Sequence, residues 1–192
     1  MAMPSVMLPL GTPAPPFELR DVVTGQVYSL DSFKDKSALL VMFLCRHCPY
    51  VQHVQHEIAK IGRDYADSGL GIMAISSNDP GQYPDDAPER LKDMAQRLGF
   101  RFPFCFDETQ EVAKAYKAAC TPDFYLFDAQ RRLVYRGQLD DSRPSNRLPV
   151  TGRDLRAAID AALAGKPVDG NQKPSIGCSI KWKPGNAPDY AR

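Results

Sequence analysis

Along the middle of this chain, apolar runs of strand length alternate with stretches whose apolar residues recur at a helical period. Residues 38–44 are uninterruptedly apolar, as is typical of a strand buried on both faces. A second such run covers residues 70–76, after Ser68-Gly69. Between them, one apolar stripe falls at i, i+3, i+7, i+10 and i+14, formed by Val51, Val54, Ile58, Ile61 and Tyr65. The pattern predicts a strand over 38–45, a helix over 49–67 and a strand parallel to the first over 70–76.

The same reasoning extends to both ends of the chain. The remaining predicted elements are a hairpin over 17–33 with its turn at Thr24-Gly25, helices over 88–98, 109–117 and 151–164, a strand over 102–106, and a hairpin joining strands 124–127 and 133–137. Thr109 is the predicted N-cap of its helix. Residues 77–88 are rich in Pro and Asp, which predicts an ordered loop at the rim of the site described below.

The last part of the chain has a different pattern. Ile176, Cys178, Ile180 and Trp182 alternate with Gly177, Ser179 and Lys181, which is typical of a strand with one apolar side. We expect one domain over residues 1–165 and an extension over 166–192 that packs on it, with Trp182 as the anchor.

Composition excludes several classes of function. The 192 residues are 43% hydrophobic and 24% charged, as in a soluble globular domain. The 24 Lys and Arg nearly balance the 23 Asp and Glu, and no basic stripe is present, so neither nucleic acid nor a membrane is an expected partner. The first residues lack a basic segment followed by an unbroken apolar one, and five Cys do not suit a disulfide framework. We therefore expect a cytoplasmic protein.

The candidate chemistry lies where the first apolar run meets the first helix, in residues 45–50, which read Cys-Arg-His-Cys-Pro-Tyr. Pro is favoured at the first helical position, so Pro49 places Cys48 at the helix N-terminus, where free amides and the helix dipole stabilise a thiolate. Cys48 is the candidate nucleophile. Cys45, three residues earlier, is near enough to form a disulfide with Cys48 and release a bound product.

Two simpler interpretations of these cysteines stay open. Cys45 continues an apolar run and is compatible with a buried hydrophobic residue. CxxC is also half of many zinc sites, and all three His lie within eight residues of Cys48. His53 and His56 fall off the apolar stripe and are expected to face solvent, so no metal is predicted. His47 lies between the cysteines and is a candidate for tuning the thiolate, or an exposed loop residue.

The order of the predicted strands and helices, together with several sequence motifs, resembles that of a known family. The segments that carry the resemblance are residues 11–19, 29–34, 45–51, 107–113 and 119–124. They are similar to thioredoxin-like redoxins of the alkyl hydroperoxide reductase and thiol-specific antioxidant (AhpC/TSA) superfamily, in a bacterial subgroup that contains CxxC. The resemblance implies an α/β thioredoxin fold, a central mixed sheet flanked by helices, with an N-terminal β-hairpin extension and a C-terminal tail.

The resemblance also implies roles for residues outside the CxxC. Thr121-Pro122 matches the cis-proline position that faces the two cysteines and presents backbone to a substrate. Cys120 is then a packed neighbour of the site or a third redox group. The alternating pattern of residues 176–182 leaves two interpretations for Cys178: it belongs to a tail that Trp182 anchors on the domain, or it resolves a sulfenic acid or mixed disulfide at Cys48, within the chain or across a dimer. Cys105 lies among three Phe residues and is expected to be structural.

Departures from the family pattern bear on the reaction. Peroxiredoxins carry Pro and Thr where this chain has Val41 and Cys45, which weakens a peroxidase interpretation. The resemblance therefore favours a thiol-disulfide oxidoreductase with disulfide substrates, a thiol electron donor and no cofactor. A thiol peroxidase acting on hydroperoxides, and a module that binds a metal or partner through Cys48 and the His residues, remain alternatives. Whether Cys45 or Cys48 attacks also stays open, with Cys48 favoured by its place at the helix N-terminus.

Overall fold

The computed structural model describes residues 2–191; Met1 and Arg192, the outer ends of the two predicted domain ranges, lie outside the described residues. Within them are ten strands, β1 (Ala2–Pro4), β2 (Glu18–Asp21), β3 (Val27–Ser29), β4 (Ala38–Phe43), β5 (Leu70–Ser76), β6 (Phe104–Phe106), β7 (Cys120–Thr121), β8 (Asp123–Phe127), β9 (Leu133–Gly137) and β10 (Ile176–Ser179). The same residues form four α-helices, α1 (Pro49–Asp64), α2 (Pro88–Leu98), α3 (Glu111–Ala115) and α4 (Arg153–Leu163).

Seven strands form one mixed sheet in the order β3-β2-β6-β5-β4-β8-β9. β4 pairs in parallel with β5 and β5 with β6, whereas β8 runs antiparallel to β4 and pairs with β9. The predicted strand–helix–strand unit, the N-terminal hairpin and the hairpin of β8 and β9 are therefore confirmed. The mixed sheet with flanking helices is the architecture that the resemblance implied.

β4 is an interior strand between β5 and β8, and every one of its side chains is buried. Successive strand residues point to opposite faces. Accordingly Leu40 and Met42 pack with α1 and α4 on one face, and Leu39, Val41 and Phe43 pack with Tyr116 and Tyr125 on the other. An apolar strand covered on both faces holds its last residues rigidly, and the CxxC segment follows directly from it.

Some predicted bounds are wrong at their ends. The first strand ends at Phe43 rather than at residue 45, and its helix ends at Asp64 rather than at 67. Thr109 is not the N-cap of α3; Gln110 is, in the left-handed region with φ 66°. The Asp107 carboxylate accepts a hydrogen bond from the Ala113 amide at 2.9 Å. A free amide in the first turn of α3 is therefore paired by Asp107, which lies before the helix, and not by Thr109.

β10 belongs to a second, three-stranded sheet of order β1-β10-β7. It pairs antiparallel with β7, with Cys178 opposite Thr121 and Ser179 opposite Cys120. We call residues 175–183 the C-terminal strap. The predicted division at residue 165 stays a prediction, but the strand expected in this region is present and lies against the candidate site. Among the described residues, no helix combines the length and apolar character needed to cross a membrane.

Candidate active site

The connection from β4 to α1 places the two cysteines of the CxxC segment. Cys48 is the N-cap of α1 with extended backbone angles, φ −73° and ψ 123°, and Pro49 is the first helical residue. This position confirms the expectation from the sequence that Cys48 lies at the N-terminus of the helix. Cys45 lies in the preceding loop, and both cysteines are fully buried.

The surroundings of Cys48 favour its thiolate. A hydrogen bond from the Cys45 thiol is the largest influence, and together with donors from Cys178 and the Val51 amide it lowers the pKa of Cys48 to about 5, against the opposing effect of burial. When protonated, Cys48 donates to the Thr121 carbonyl at 3.4 Å. A thiol with this pKa is almost entirely ionised at pH 7 and is a ready nucleophile.

Cys45 has the opposite character. Burial raises its pKa well above the ordinary value, and the hydrogen bond with Cys48 and the charge of Asp86 act in the same direction. Its Sγ lies 3.1 Å from the hydroxyl oxygen of Thr121. The pair therefore holds one proton on Cys45 and the negative charge on Cys48, and this asymmetry favours Cys48 as the attacking atom.

Thr121 and Pro122 lie across from the cysteines, as the resemblance implied. The peptide bond between them is cis. The Thr121 side chain contacts Cys45 and its carbonyl contacts Cys48, so one residue reaches both sulfur atoms. The structure thus brings three of the residues singled out from the sequence, Cys45, Cys48 and Thr121, into direct contact, and Pro122 follows Thr121 directly.

His47 is held by a buried carboxylate that the sequence analysis did not assign to the site. Asp86 is fully buried, and its oxygens accept hydrogen bonds from the amides of Arg46 at 2.7 Å and His47 at 3.1 Å, and from the Asn78 side chain at 2.8 Å. The His47 ring donates to the same carboxylate from Nδ1 and stacks on Tyr83, with centroids 4.9 Å apart. Asp86 therefore fixes the loop between the cysteines.

The signal for Asp86 was weak in the sequence. It follows Asp85 in the Pro- and Asp-rich loop that was expected to rim the site, and neither residue is distinguished from the other by pattern. The structure separates them, because the Asp85 side chain is 67% exposed and that of Asp86 is 0% exposed. The prediction that this loop borders the site is confirmed.

Cys45, His47 and Asp86 also form the one group of three potential metal ligands found among residues 2–191, with ligand atoms within 4.8 Å of one another. Both Asp86 oxygens already accept hydrogen bonds, and the His47 nitrogen that faces them is occupied by one. A cation would have to displace this network. The arrangement is therefore better suited to holding the loop than to holding an ion.

Replacing Asp86 by Ala is expected to lower the free energy of unfolding by about 2–4 kcal/mol, because several buried donors lose a charged acceptor together. Asp85→Ala is the matched control: its contact with Arg46 at 3.1 Å is on the surface, and we expect a loss below about 1 kcal/mol. Urea denaturation of both variants measures the difference. Equal losses would contradict the role given to Asp86.

The three cysteines outside the CxxC lie at different distances from the candidate site. Cys178 lies on β10 opposite Thr121 and is half-buried. Cys120 is fully buried next to the cis bond, and burial raises its pKa well above the ordinary value. Cys105 is buried on the opposite face of the sheet, where burial raises its pKa to about 12. Cys178 and Cys120 thus border the site and Cys105 does not.

The two helix histidines only partly match expectation. His56 is exposed, as predicted. His53 is half-buried and its Nε2 lies 2.7 Å from the Ser142 hydroxyl, so the expectation that it faces solvent is wrong. The cause is tertiary, since the loop after β9 folds over this side of α1. Neither His contacts Cys48 in any interaction found among the described residues.

A second buried acid lies directly after the cis-proline. Asp123 is buried, and burial raises its pKa well above the ordinary value although Tyr125 and the Phe124 amide donate to it at 2.9 and 3.1 Å. Residues 38–44, the strand segment before the CxxC, contain no acidic side chain. The acid lies on the neighbouring strand, β8, which only the sheet order reveals.

Comparison with known proteins identifies the family of this chain. Residues 9–155 match the Redoxin family. The chain belongs to the Redoxin family. This redoxin is 26% identical over 121 residues to a thiol-disulfide oxidoreductase, ResA, of Geobacillus kaustophilus; the match covers 62% of this chain and 63% of that relative, so it spans less than two thirds of its length.

Two solved structures extend the comparison. The redoxin is 58% identical to an uncharacterized conserved protein from Geobacillus kaustophilus, with a TM-score of 0.94 and coverage of 96% of this chain and 97% of that one. It also superimposes on a thioredoxin-family thiol:disulfide interchange protein from Chlorobium tepidum at a TM-score of 0.62 and 20% identity, covering 82% of this chain and 99% of the other. The second likeness establishes the thioredoxin fold.

Proposed function

We propose that this redoxin is a thiol-disulfide oxidoreductase in which Cys48 is the nucleophile and Cys45 the resolving thiol. The observation that carries the proposal is the asymmetry of the pair, an ionised Cys48 at a helix N-terminus hydrogen-bonded to a protonated Cys45. The likeness to a thiol-disulfide oxidoreductase of Geobacillus kaustophilus supports the same reaction class.

In the proposed reaction the Cys48 thiolate attacks one sulfur of a substrate disulfide and the other sulfur leaves as a thiolate. Cys45 then loses its proton and attacks Cys48 Sγ, which releases the second product and closes the Cys45–Cys48 disulfide. A thiol donor returns the pair to the reduced form. The substrates are small-molecule or protein disulfides, and the proposed location is the cytoplasm, where a reducing thiol pool is available.

The test is a redox titration of the full chain in glutathione buffers, read by differential alkylation and mass spectrometry of every cysteine. We expect Cys45 and Cys48 to oxidise together as one two-electron couple, with a tenfold change in the oxidised-to-reduced ratio for each ~30 mV. Low hydrogen peroxide is the second arm. If Cys48 ignores the glutathione ratio but turns rapidly to sulfenic acid in peroxide, the peroxidase alternative replaces this proposal.

A further inference from the structure

The C-terminal strap, residues 175–183, is tied to the candidate site at both of its ends. Ser175 donates to the Pro122 carbonyl from its hydroxyl at 2.7 Å. At the other end, the Lys181 amide donates to the Asn78 side chain at 2.8 Å. The strap is therefore a built part of the fold at the site and not a loosely attached tail.

Between these ends, β10 lies unusually close to the cis-proline segment. A Cβ on Gly177 would stand 1.9 Å from the Thr121 carbonyl oxygen, so only Gly permits the approach. The register then sets Cys178 directly opposite Thr121, the residue whose own atoms contact both Cys45 and Cys48. This edge is where an extended substrate backbone was expected to pair, and a segment of the same chain occupies it.

Burial distinguishes the three thiols that meet here. Cys45 and Cys48 are fully buried, and Cys178 is half-buried in contact with the same apolar cluster. Hydrogen bonds from the Cys178 thiol and amide are among the influences that lower the pKa of Cys48. Cys178 is thus the partly accessible member of the cluster.

We propose that Cys178 is a third redox-active thiol of this site, which forms a disulfide with Cys48 as an alternative to the Cys45–Cys48 disulfide. The inference rests on the proposed function. Once Cys48 carries a mixed disulfide, the Cys178 thiol loses its proton and attacks Cys48 Sγ. The Cys48–substrate bond breaks, and the substrate leaves as a thiol with that proton. The substrate disulfide gains two electrons and the protein loses two.

The two internal disulfides interconvert by the same chemistry. Cys45, once deprotonated, attacks Cys48 Sγ and releases Cys178 as a thiol, with no net change in oxidation. In the reverse step, deprotonated Cys178 attacks Cys48 Sγ of the Cys45–Cys48 disulfide and Cys45 leaves as a thiol, so the disulfide moves from the buried pair to the half-buried thiol of the strap. The pKa of Cys178, which burial raises to about 11, makes it a weak nucleophile toward external disulfides but does not prevent attack at close range.

The test uses the reduced full chain and the variants Cys45→Ser, Cys178→Ser and the double variant, each exposed to oxidised glutathione, acid-quenched, alkylated and digested without reduction. Trypsin cleaves after Arg46, so Cys45, Cys48 and Cys178 lie on separate peptides and each disulfide gives a distinct pair. Cys105→Ala is the control for loss of an unrelated thiol. Circular dichroism confirms that each variant is folded.

We expect the Cys45→Ser variant to give tryptic peptides linked by a Cys48–Cys178 disulfide. The Cys178→Ser variant should give peptides linked by a Cys45–Cys48 disulfide. The double variant should keep glutathione on Cys48 at least about tenfold longer than either single variant. If the Cys45→Ser variant retains glutathione on Cys48 as long as the double variant does, Cys178 is not redox-active and this inference fails. In that case a Cys45–Cys48 disulfide in the Cys178→Ser variant still upholds the proposed function. If Cys48 takes up no glutathione in any variant, the proposed function and this inference both fail.

Discussion

Cys48→Ser is expected to lower the rate of disulfide exchange by more than about 10³-fold, because a serine hydroxyl in the same place is neither ionised at neutral pH nor able to form a disulfide. The assay is reduction of a small disulfide by the pre-reduced protein. Cys105→Ala is the matched control, since Cys105 lies in the core on the other face of the sheet and its raised pKa leaves it as an inert thiol. That variant should stay within about twofold of the wild type.

The pH dependence provides a second check on the same residue. A pKa of about 5 means that the Cys48 thiolate is fully populated above pH 6.5 and is lost as the pH falls through 5. The alkylation rate of Cys48 by iodoacetamide should therefore be flat from pH 6.5 to 8. A thiol with an ordinary pKa near 8.5 would instead react about tenfold faster for each pH unit in this range. A rate that climbs in that way would contradict the assignment of Cys48 as the nucleophile.

Gly177→Ala is expected to detach β10 from the cis-proline segment. The added Cβ would meet the Thr121 carbonyl oxygen at 1.9 Å and the carbonyl carbon at 2.6 Å, and these are backbone atoms that cannot rotate away. The strand must move, at a cost of about 1–3 kcal/mol in the free energy of unfolding. Cys48 then loses the donors that Cys178 supplies, so its pKa should rise.

Accessibility is the more direct readout of this variant. Cys48 is fully buried, so a bulky maleimide should label it slowly in the wild type and at least about tenfold faster in Gly177→Ala, once the strap opens. Gly170→Ala is the matched control, because nothing lies within 4 Å of a Cβ placed there. Equal labelling of Cys48 in both variants would show that β10 does not cover the site.

The same packing has a consequence for substrate access. β10 occupies the Thr121 edge beside the fully buried Cys48. Under the proposed function, we expect a protein disulfide to need a larger movement of the strap to reach Cys48 than a small disulfide does. The strap is held by the side chains of Asn78 and Gln110, which accept hydrogen bonds from its amides, and by the backbone carbonyl of Pro122, which accepts one from Ser175. Under the proposed function, we expect the rate of disulfide exchange to depend on the stability of the C-terminal strap.

Local pattern was sufficient to predict the elements that position the nucleophile. The apolar run of residues 38–44 and the stripe from Val51 to Tyr65 specify a buried strand and an amphipathic helix, and Pro49 specifies where the helix begins. Cys48 at a helix N-terminus follows from these three features alone. The hairpins and the parallel pairing of β4 with β5 were predictable for the same reason, since each depends on neighbouring residues in the chain.

Only the tertiary structure decided which distant residues complete the site. Asp86 and Asp85 are adjacent and chemically identical, and burial against the loop between the cysteines distinguishes them. Asp123 becomes a buried acid because β8 pairs with β4, and Cys178 approaches Cys48 because β10 pairs with β7. Periodicity along a chain reports which face of an element is apolar, but it carries no information on which strands pair across more than fifty residues. The sequence by itself indicated Cys48 as the candidate nucleophile and determined the helix that follows it, and long-range strand pairing determined the groups around it.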